Sequence, residues 1–238
     1  MGIMIGQFTA GTHPLVIRFM KGVYNLRPPC SRYANIWDVN KVLDYLRKLS
    51  PVRHLSLKNL TLKLAMLLAL VNAARVQTVH LLSTVGLKKL HSEFVVHFDS
   101  LLKQSRPGFD CSRVHLKAFP PDRRLCIYTV LKEYLKRTKE LRQHNENKLL
   151  ISYQKPHKAV SKDTVSRWIK TVMLKAGIDT NIYGAHSVRA ATVSKAKSFN
   201  VPVSEIMKKA GWTNSRTFAQ FYDKPIVQED VAHIILKG

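Results

Sequence analysis

Residues 184–189 of the chain read Gly-Ala-His-Ser-Val-Arg, residues 210–212 read Ala-Gly-Trp, and residues 221–222 read Phe-Tyr. A histidine and an arginine three residues apart lie on one face of a helix. Together they can hold a phosphate group, because a guanidinium donates a fork of hydrogen bonds and an imidazole exchanges a proton near neutral pH. A tyrosine further along the chain could attack that phosphate. The order of these side chains therefore suits phosphate chemistry.

The charge of the chain points to a polyanionic partner. Its 238 residues include 39 Lys and Arg against 15 Asp and Glu, which gives a formal net charge of +24. The basic residues are spread along the chain, and no acidic residue lies between Asp44 and Glu93. This distribution favours DNA or RNA as the partner, although a basic protein of the ribosomal kind would show the same balance.

The same composition disfavours several classes of protein. The three cysteines, Cys30, Cys111 and Cys126, are widely spaced and form no Cys-x-x-Cys pair of the kind used for zinc or redox work. The N-terminus shows no signal-peptide pattern, so we expect an intracellular protein. Residues 64–74 are the longest apolar run and are too short to span a bilayer. The sequence therefore predicts no membrane partner, no cofactor and no metal site.

One compact domain is predicted between two flanking segments. Residues 1–36 carry scattered glycines and a Pro-Pro break, which is typical of an arm or of the tail of a further domain. The compact domain is predicted over residues 37–226, and residues 227–238 are predicted to form a tail. Helical periodicity begins at Asp38, which can cap a helix over residues 38–50.

A second, longer helix is predicted after residues 51–57. Its apolar residues recur at helical spacing and are Leu60, Leu64, Leu67, Leu68 and Val71. This helix would pack one face inward and deliver Arg75 at its C-terminal end or just past it.

Residues 84–119 follow a period of two instead of a helical period. Phe94, Val96 and Phe98 fall on one side of that pattern, which is typical of a strand. The strand is predicted to continue through residues 101–103, to turn at residues 106–108 and to return over residues 114–116. These residues would form a small antiparallel sheet.

The remaining sequence returns to helical periodicity. Longer amphipathic helices are predicted over residues 124–140 and 161–176, and shorter helices over residues 188–198, 203–210 and 214–222. This order of elements predicts an α+β fold class that is mainly helical, with one small antiparallel β-sheet.

Four motifs in this order resemble the tyrosine recombinase, or phage integrase, family. They are Ala73-Ala-Arg75, His186-Ser-Val-Arg189, Ala210-Gly-Trp212 and Phe221-Tyr222, and the resemblance covers residues 37–226. Residues 73–78, 103–108 and 211–218 more narrowly resemble the recombinases of DIRS- and Ngaro-type retrotransposons, with Cryptons more distant. Any one motif arises by chance, whereas their order, spacing and local structure together are specific. The resemblance implies the catalytic-domain fold of that family.

The resemblance also implies a role for each candidate residue. Tyr222 would be the nucleophile that attacks the scissile phosphate and forms a 3′-phosphotyrosyl link, which stores the energy for religation. Arg75 and Arg189 would bind the non-bridging oxygens, where negative charge grows in the transition state. His186 would hydrogen-bond the phosphate or handle the tyrosine proton. Without the motifs, Tyr222 would be interpreted as core packing and the arginines as surface residues.

Lys103 matches the β-hairpin lysine of the family, which donates a proton to the departing 5′-oxygen. Lys88, Lys89 and Lys117 are near it in the sequence, and a lysine in a turn of so basic a chain is usually solvated. We expect Lys103 to be the general acid, with its neighbours as alternatives.

The sequence departs from the family pattern at three places. Trp212 stands where most members have a second histidine; it is either a core residue or a phosphate donor, because its indole N–H can donate to oxygen. Thr78 stands where many members have a glutamate that supports the first arginine. Residues 1–36 are too short for the DNA-clamping domain that members normally carry, so we expect reduced affinity and site choice.

The function that the resemblance implies is a metal-independent, site-specific DNA recombinase or integrase of mobile-element origin. Its partner would be double-stranded DNA, in the nucleus or elsewhere in the cell, without a small-molecule substrate, and binding would depend steeply on salt. The family also implies dimers or tetramers on DNA, in which residues 226–237 dock on a neighbour or pack on their own domain. A non-catalytic DNA-binding remnant of such an element and a type IB topoisomerase are the alternatives.

Overall fold

The computed structural model describes residues 3–28, 30–102, 113–144, 146–212 and 214–227. The chain forms two compact units, residues 1–33 and residues 34–238. The first unit contains an antiparallel pair of short strands, β1 (Met4–Ile5) and β2 (Phe8–Thr9), followed by helix α1 (Pro14–Leu26). None of the residues of α1 is buried. The sequence analysis missed this helix, because the scattered glycines of residues 1–36 favoured an irregular arm.

Helix α2 (Val39–Lys48) opens the helical part of the second unit. Asp38 caps it as predicted, because its Oδ1 accepts a hydrogen bond from the amide of Asn40 at 2.9 Å. Val42 and Leu46 of α2 have no exposed surface and face the core of the unit.

Helix α3 (Leu57–Val71) lies at the centre of the second unit. The helices that it contacts include α5 (Ile127–Thr138), α6 (Lys162–Lys175) and α7 (Ser187–Ser198). Residues 60–70 are all buried, so α3 is covered on every side rather than on the single face that the sequence predicted. A helix that is apolar all round is typical of such a central position.

A buried lysine on α3 holds the C-terminal end of α2. Lys63 has no exposed surface, and its Nζ donates to the carbonyl oxygens of Leu46 at 2.9 Å and Leu49 at 2.6 Å. Carbonyls in the last turn of a helix have no partner within the helix. Burial lowers the pKa of Lys63 to about 8, because the charged form is poorly solvated there. Lys63 therefore caps α2 from inside the core.

A short helix, α4 (Val76–His80), leads into a three-stranded antiparallel sheet. Its strands are β3 (Leu82–Lys89), β4 (Glu93–Phe98) and β5 (Arg113–Lys117), in the order β3-β4-β5. Phe94 pairs with Leu116 and Val96 with Val114, and the side chains of Phe94, Val96 and Leu116 are buried. The predicted return strand and the small antiparallel sheet are confirmed.

Two details of the predicted sheet differ from the structure. The predicted continuation of the strand is wrong at Leu101 and Leu102, because β4 ends at Phe98 and both residues lie outside any strand; residue 103 lies outside the described residues. Strand β3 was missed, because its exposed half, around Gly86 and Lys88, gives no regular apolar alternation.

The remaining helices begin and end close to the predicted positions. Helix α6 is capped by Ser161, whose hydroxyl accepts a hydrogen bond from the amide of Thr164 at 3.2 Å, and it is followed by Gly177 with a φ of 78°. The last two helices are α8 (Val203–Ala210) and α9 (Ser215–Phe221). The mainly helical α+β fold class is therefore confirmed.

The second unit closes where its first and last described segments meet. Ile36 and Ile226 form a parallel bridge, in which the amide of Ile36 donates to Pro225 at 2.9 Å and the amide of Val227 donates to Ile36 at 2.7 Å. The rest of the predicted tail, residues 228–238, lies outside the described residues. In the ranges given above, no helix combines the length and the apolar character that a bilayer crossing requires.

Candidate active site

Arg189 is a buried cation that joins three helices of the second unit. It lies in the first turn of α7 and is only 3% exposed. Its two terminal nitrogens donate to the carbonyl oxygens of Ala73 at 2.7 Å and Ala210 at 2.6 Å. Ala73 follows α3, and Ala210 is the last residue of α8, before Gly211 reverses the chain with a φ of 70°. Arg189 therefore connects α7 to the ends of α3 and α8.

Two aromatic rings lie against the guanidinium of Arg189. Its Cζ is 4.1 Å from the centroid of the Trp212 ring and 5.5 Å from that of the Tyr222 ring. The two rings are themselves 4.4 Å apart, with an angle of 45° between their planes. Trp212 is 8% exposed and packs with Ile206 and Phe218 in one apolar cluster. Trp212 is thus a core residue that also contacts the candidate phosphate-binding arginine.

Two donors in this group have no hydrogen-bond partner among the residues that the structure describes. They are Nε of Arg189 and Nε1 of Trp212, and both atoms are buried. Buried N–H groups are nearly always paired in folded proteins, so two unpaired donors in contacting side chains indicate a place for an acceptor. Phosphate oxygens are acceptors of this kind.

The surroundings of Arg189 disfavour its positive charge. Its pKa is lowered to about 9, first by burial and then by the neighbouring charge of Arg75, while the interaction with Tyr222 opposes this shift. Arg189 is still protonated at neutral pH. Over the described part of the chain, no carboxylate contributes to this pKa, so a bound anion would supply the missing negative charge.

Arg75 lies just past the C-terminal end of α3, where the sequence placed it. Helix α3 ends at Val71, Ala73 adopts a positive φ of 43°, and Arg75 occupies the position before the first residue of α4. Arg75 is half-buried. Because Arg189 binds the carbonyl of Ala73, the backbone that leads into Arg75 is held by the other candidate arginine.

His186 lies immediately before α7 and is exposed, so its imidazole is accessible to a substrate. The adjacent Ser187 is buried; its hydroxyl accepts a hydrogen bond from Nε1 of Trp37 at 2.8 Å and donates one to the carbonyl of Gly184 at 2.8 Å. These bonds fix the start of α7. Trp37 could not be assigned to the site from the sequence, since a single tryptophan far upstream belongs to no motif.

Lys103 and the predicted turn at residues 106–108 lie outside the described residues.

A cavity of about 480 Å³ borders Arg189 on the side of the sheet. Its lining includes Thr78, Arg113, His115, Lys208 and Lys209. Burial and the charge of Lys117 lower the pKa of Lys209. Apart from Thr78, these residues were missed, because no family motif marks them.

The backbone of Tyr222 is held by α7, the helix that carries Arg189. Ser194 is 4% exposed; its hydroxyl donates to the carbonyl of Tyr222 at 2.9 Å and accepts from the amide of Lys224 at 3.1 Å. Asp223, which lies between Tyr222 and Lys224, forms an ion pair with Lys197 of α7. The structure therefore brings Arg75, Arg189, Trp212 and Tyr222 together around the ends of α3, α8 and α9.

No protein-family model matches the chain, and no curated protein sequence matches it. Solved structures do match. The post-cleavage complex of XerH site-specific recombinase with a palindromic difH substrate has a TM-score of 0.58 at 16% identity, over 77% of this chain and 48% of that one. XerA recombinase has a TM-score of 0.57 at 15% identity, over 97% of this chain and 76% of that one. A lambda integrase dimer bound to a COC' core site has a TM-score of 0.52 at 16% identity, over 91% of this chain and 59% of that one.

These similarities show the fold of the second unit and its place in a known architecture. The chain has the tyrosine recombinase catalytic-domain fold, as the motifs predicted. It spans about half the length of the XerH chain. In the segments covered by the structure, no three His, Cys, Asp or Glu side chains gather as ligands for a metal ion. The groups that converge at the site are guanidinium, indole and phenol, which suit an oxyanion.

Proposed function

We propose that this chain is a site-specific DNA recombinase or integrase that cuts and rejoins DNA through a bond between Tyr222 and a 3′-phosphate. The observation that carries the proposal is the contact of Arg189 with both Trp212 and Tyr222, beside the charge of Arg75. The fold similarity to recombinases and the order of the sequence motifs support it.

A phosphodiester fits the charge and the donors of this site. Its non-bridging oxygens would accept hydrogen bonds from Nε of Arg189 and Nε1 of Trp212, the two buried donors without a partner in the described chain. Arg75 would add a second positive charge, and His186 would reach the phosphate from the exposed start of α7. Negative charge grows on these oxygens in the pentavalent transition state, so the same contacts would lower the barrier.

The chemical step is a transesterification. The oxygen of Tyr222 bonds to phosphorus, the bond from phosphorus to the 5′-oxygen breaks, and the 5′-oxygen leaves with a proton. His186 would take part in removing the tyrosine proton, and Lys103 would supply the proton to the leaving oxygen. Attack of a 5′-hydroxyl on the phosphotyrosyl bond reverses these steps and rejoins DNA, so neither ATP nor a metal ion is required.

Double-stranded DNA is the proposed substrate, since a net charge of +24 favours a polyanion. Assembly as dimers or tetramers on DNA, origin from a mobile element of the DIRS or Ngaro type, and action in the nucleus belong to the same proposal. They are supported by the resemblance of residues 73–78, 103–108 and 211–218 to those elements.

A nicked suicide DNA that carries candidate terminal repeats tests the proposal. Wild-type protein is expected to form a covalent adduct that survives denaturation, and Tyr222→Phe is expected to form none, because the nucleophilic oxygen is lost. Tyr153→Phe is the matched control: Tyr153 stacks on Trp168 at 5.5 Å, and its ring is kept in the variant. The adduct is measured by denaturing electrophoresis of labelled DNA.

The other outcomes identify the alternatives. An adduct that persists in Tyr222→Phe would contradict the assigned nucleophile. DNA binding without any adduct from wild type would indicate a non-catalytic DNA-binding remnant. Relaxation of supercoiled plasmid without recombinant products would indicate a topoisomerase of type IB.

A further inference from the structure

We propose that Ser194 is a positioning residue that holds Tyr222 against Arg189 for the cleavage step. The inference rests on the proposed function of Tyr222 as the nucleophile. The hydroxyl of Ser194 hydrogen-bonds to the peptide groups around Tyr222.

The hydroxyl of Ser194 bridges the two peptide groups on either side of Asp223. It donates to the carbonyl of Tyr222 at 2.9 Å and accepts from the amide of Lys224 at 3.1 Å. Ser194 is 4% exposed, so water does not compete freely for these bonds. A single buried hydroxyl thus fixes the chain both at the nucleophile and just after it.

Helix α9 needs such an external anchor. It has 7 residues, and a helix of this length is not stable alone in water. Tyr222 follows its last residue, and the amides of Tyr222 and Asp223 both donate to the carbonyl of Phe218, at 2.9 and 3.0 Å. The position of the phenol therefore depends on what holds the segment after α9.

Helix α7 provides the anchor and also carries the phosphate-binding arginine. Arg189 and Ser194 lie on the same helix, about 7.5 Å apart along its axis at a rise of about 1.5 Å per residue. The ion pair of Lys197 with Asp223 adds a second attachment to the same helix. Helix α7 therefore holds both the nucleophile Tyr222 and the phosphate-binding Arg189. An in-line attack requires such a fixed distance between the two groups.

The test compares Ser194→Ala with Ser198→Ala, a matched change on the same helix. The hydroxyl of Ser198 donates only within α7, to the carbonyl of Lys195 at 2.8 Å. Ser194→Ala is expected to slow single-turnover adduct formation at saturating DNA by tenfold or more, because small misplacements of reacting groups cost up to about a hundredfold. The Kd for DNA is expected to stay unchanged, and Ser198→Ala is expected to match wild type in both. All rates are measured well below the thermal midpoints of the variants.

A second measurement does not depend on catalysis. In Ser194→Ala the amide of Lys224 loses its acceptor, so its hydrogen exchange is expected to become faster than in wild type and in Ser198→Ala. If wild type forms no adduct, the proposed function of Tyr222 fails, and this exchange rate still decides whether Ser194 holds the segment. Unchanged exchange at Lys224, an unchanged cleavage rate in Ser194→Ala, or equal slowing in Ser198→Ala would overturn the proposal.

Discussion

Two regions of the second unit each contain a buried cation that donates to two backbone carbonyls. Lys63 binds the carbonyls of Leu46 and Leu49 at the α2 end, and Arg189 binds those of Ala73 and Ala210 at the α8 end. Burial is the largest cause that lowers the pKa of each group, to about 8 for Lys63 and to about 9 for Arg189. The two regions are therefore alike in that burial disfavours the charged form of each cation.

They differ in whether a buried donor is left without a hydrogen-bond acceptor. Lys63 lies on the central helix and uses its ammonium to cap α2. Arg189 keeps a buried Nε without a partner in the described chain, and so does Nε1 of the contacting Trp212. The charge of Arg75 also acts on Arg189. A buried nitrogen with no acceptor around it indicates a place for a ligand, whereas Nζ of Lys63 has two acceptors and serves as a structural cap.

The largest effect on adduct formation is expected for Arg189→Lys. A lysine keeps the charge but has one donor nitrogen instead of the three of the planar guanidinium, so it cannot span the carbonyls of Ala73 and Ala210 and a phosphate with the same geometry. We expect adduct formation to slow by about 10²–10³-fold, as for the loss of a donor to a developing oxyanion. Single-turnover cleavage well below the thermal midpoint measures this. The control is Lys63→Met, which is expected to cleave like wild type; equal slowing in both variants would contradict the distinction between the two cations.

The second prediction concerns Lys63 and pH. Its pKa is about 8 in the folded protein against 10.5 for an exposed lysine, so the unfolded chain binds a proton more readily between these values. The free energy of unfolding should therefore rise with pH from about 8 to 10.5, by roughly 3 kcal/mol from this group. Lys63→Met should lack this rise. Denaturant unfolding of both proteins across the window measures the difference, and parallel pH profiles would contradict it.

The smallest effect on adduct formation is expected when the indole N–H of Trp212 is removed. Trp212→Phe keeps a ring against Arg189 and Tyr222 but removes Nε1, so adduct formation is expected to slow roughly tenfold through the loss of one hydrogen bond to a charged group. Trp168→Phe serves as the control, because Trp168 is a buried tryptophan that stacks on Tyr153. Wild-type cleavage by Trp212→Phe would show that Trp212 is a packing residue only.

Much of the helical framework could be predicted from local signals. Helix α8 begins after Pro202 and ends before Gly211, and these residues mark its bounds in the sequence. Strand β3 escaped prediction because its exposed apolar residues follow no period that matches a buried face. Helix α1 was missed for another reason: its apolar residues recur at helical spacing, but the glycines around them and the Pro28-Pro29 break favoured an irregular arm.

The site was predictable in its residues and not in its contacts. The motif order singled out Arg75, Arg189, Trp212 and Tyr222, which the structure places together. The acceptors that hold Arg189 are main-chain carbonyls of Ala73 and Ala210, and a carbonyl has no sequence signature. Ser194 was missed likewise, because its partners are peptide groups of Tyr222 and Lys224. The catalytic roles of the four residues that the motif order singled out, and those of Lys103 and His186, stay predictions.

The double use of Arg189 has a consequence for how such a sequence would lose activity over generations. Its side chain is 3% exposed and connects α7 to two other helices, so its replacement would damage folding as well as the proposed catalysis. His186 is exposed, so its replacement would disturb the packing of the unit less than that of Arg189. An inactive descendant selected only for a folded chain is therefore expected to keep the arginine longer than the histidine, which makes His186 the better diagnostic of a working copy.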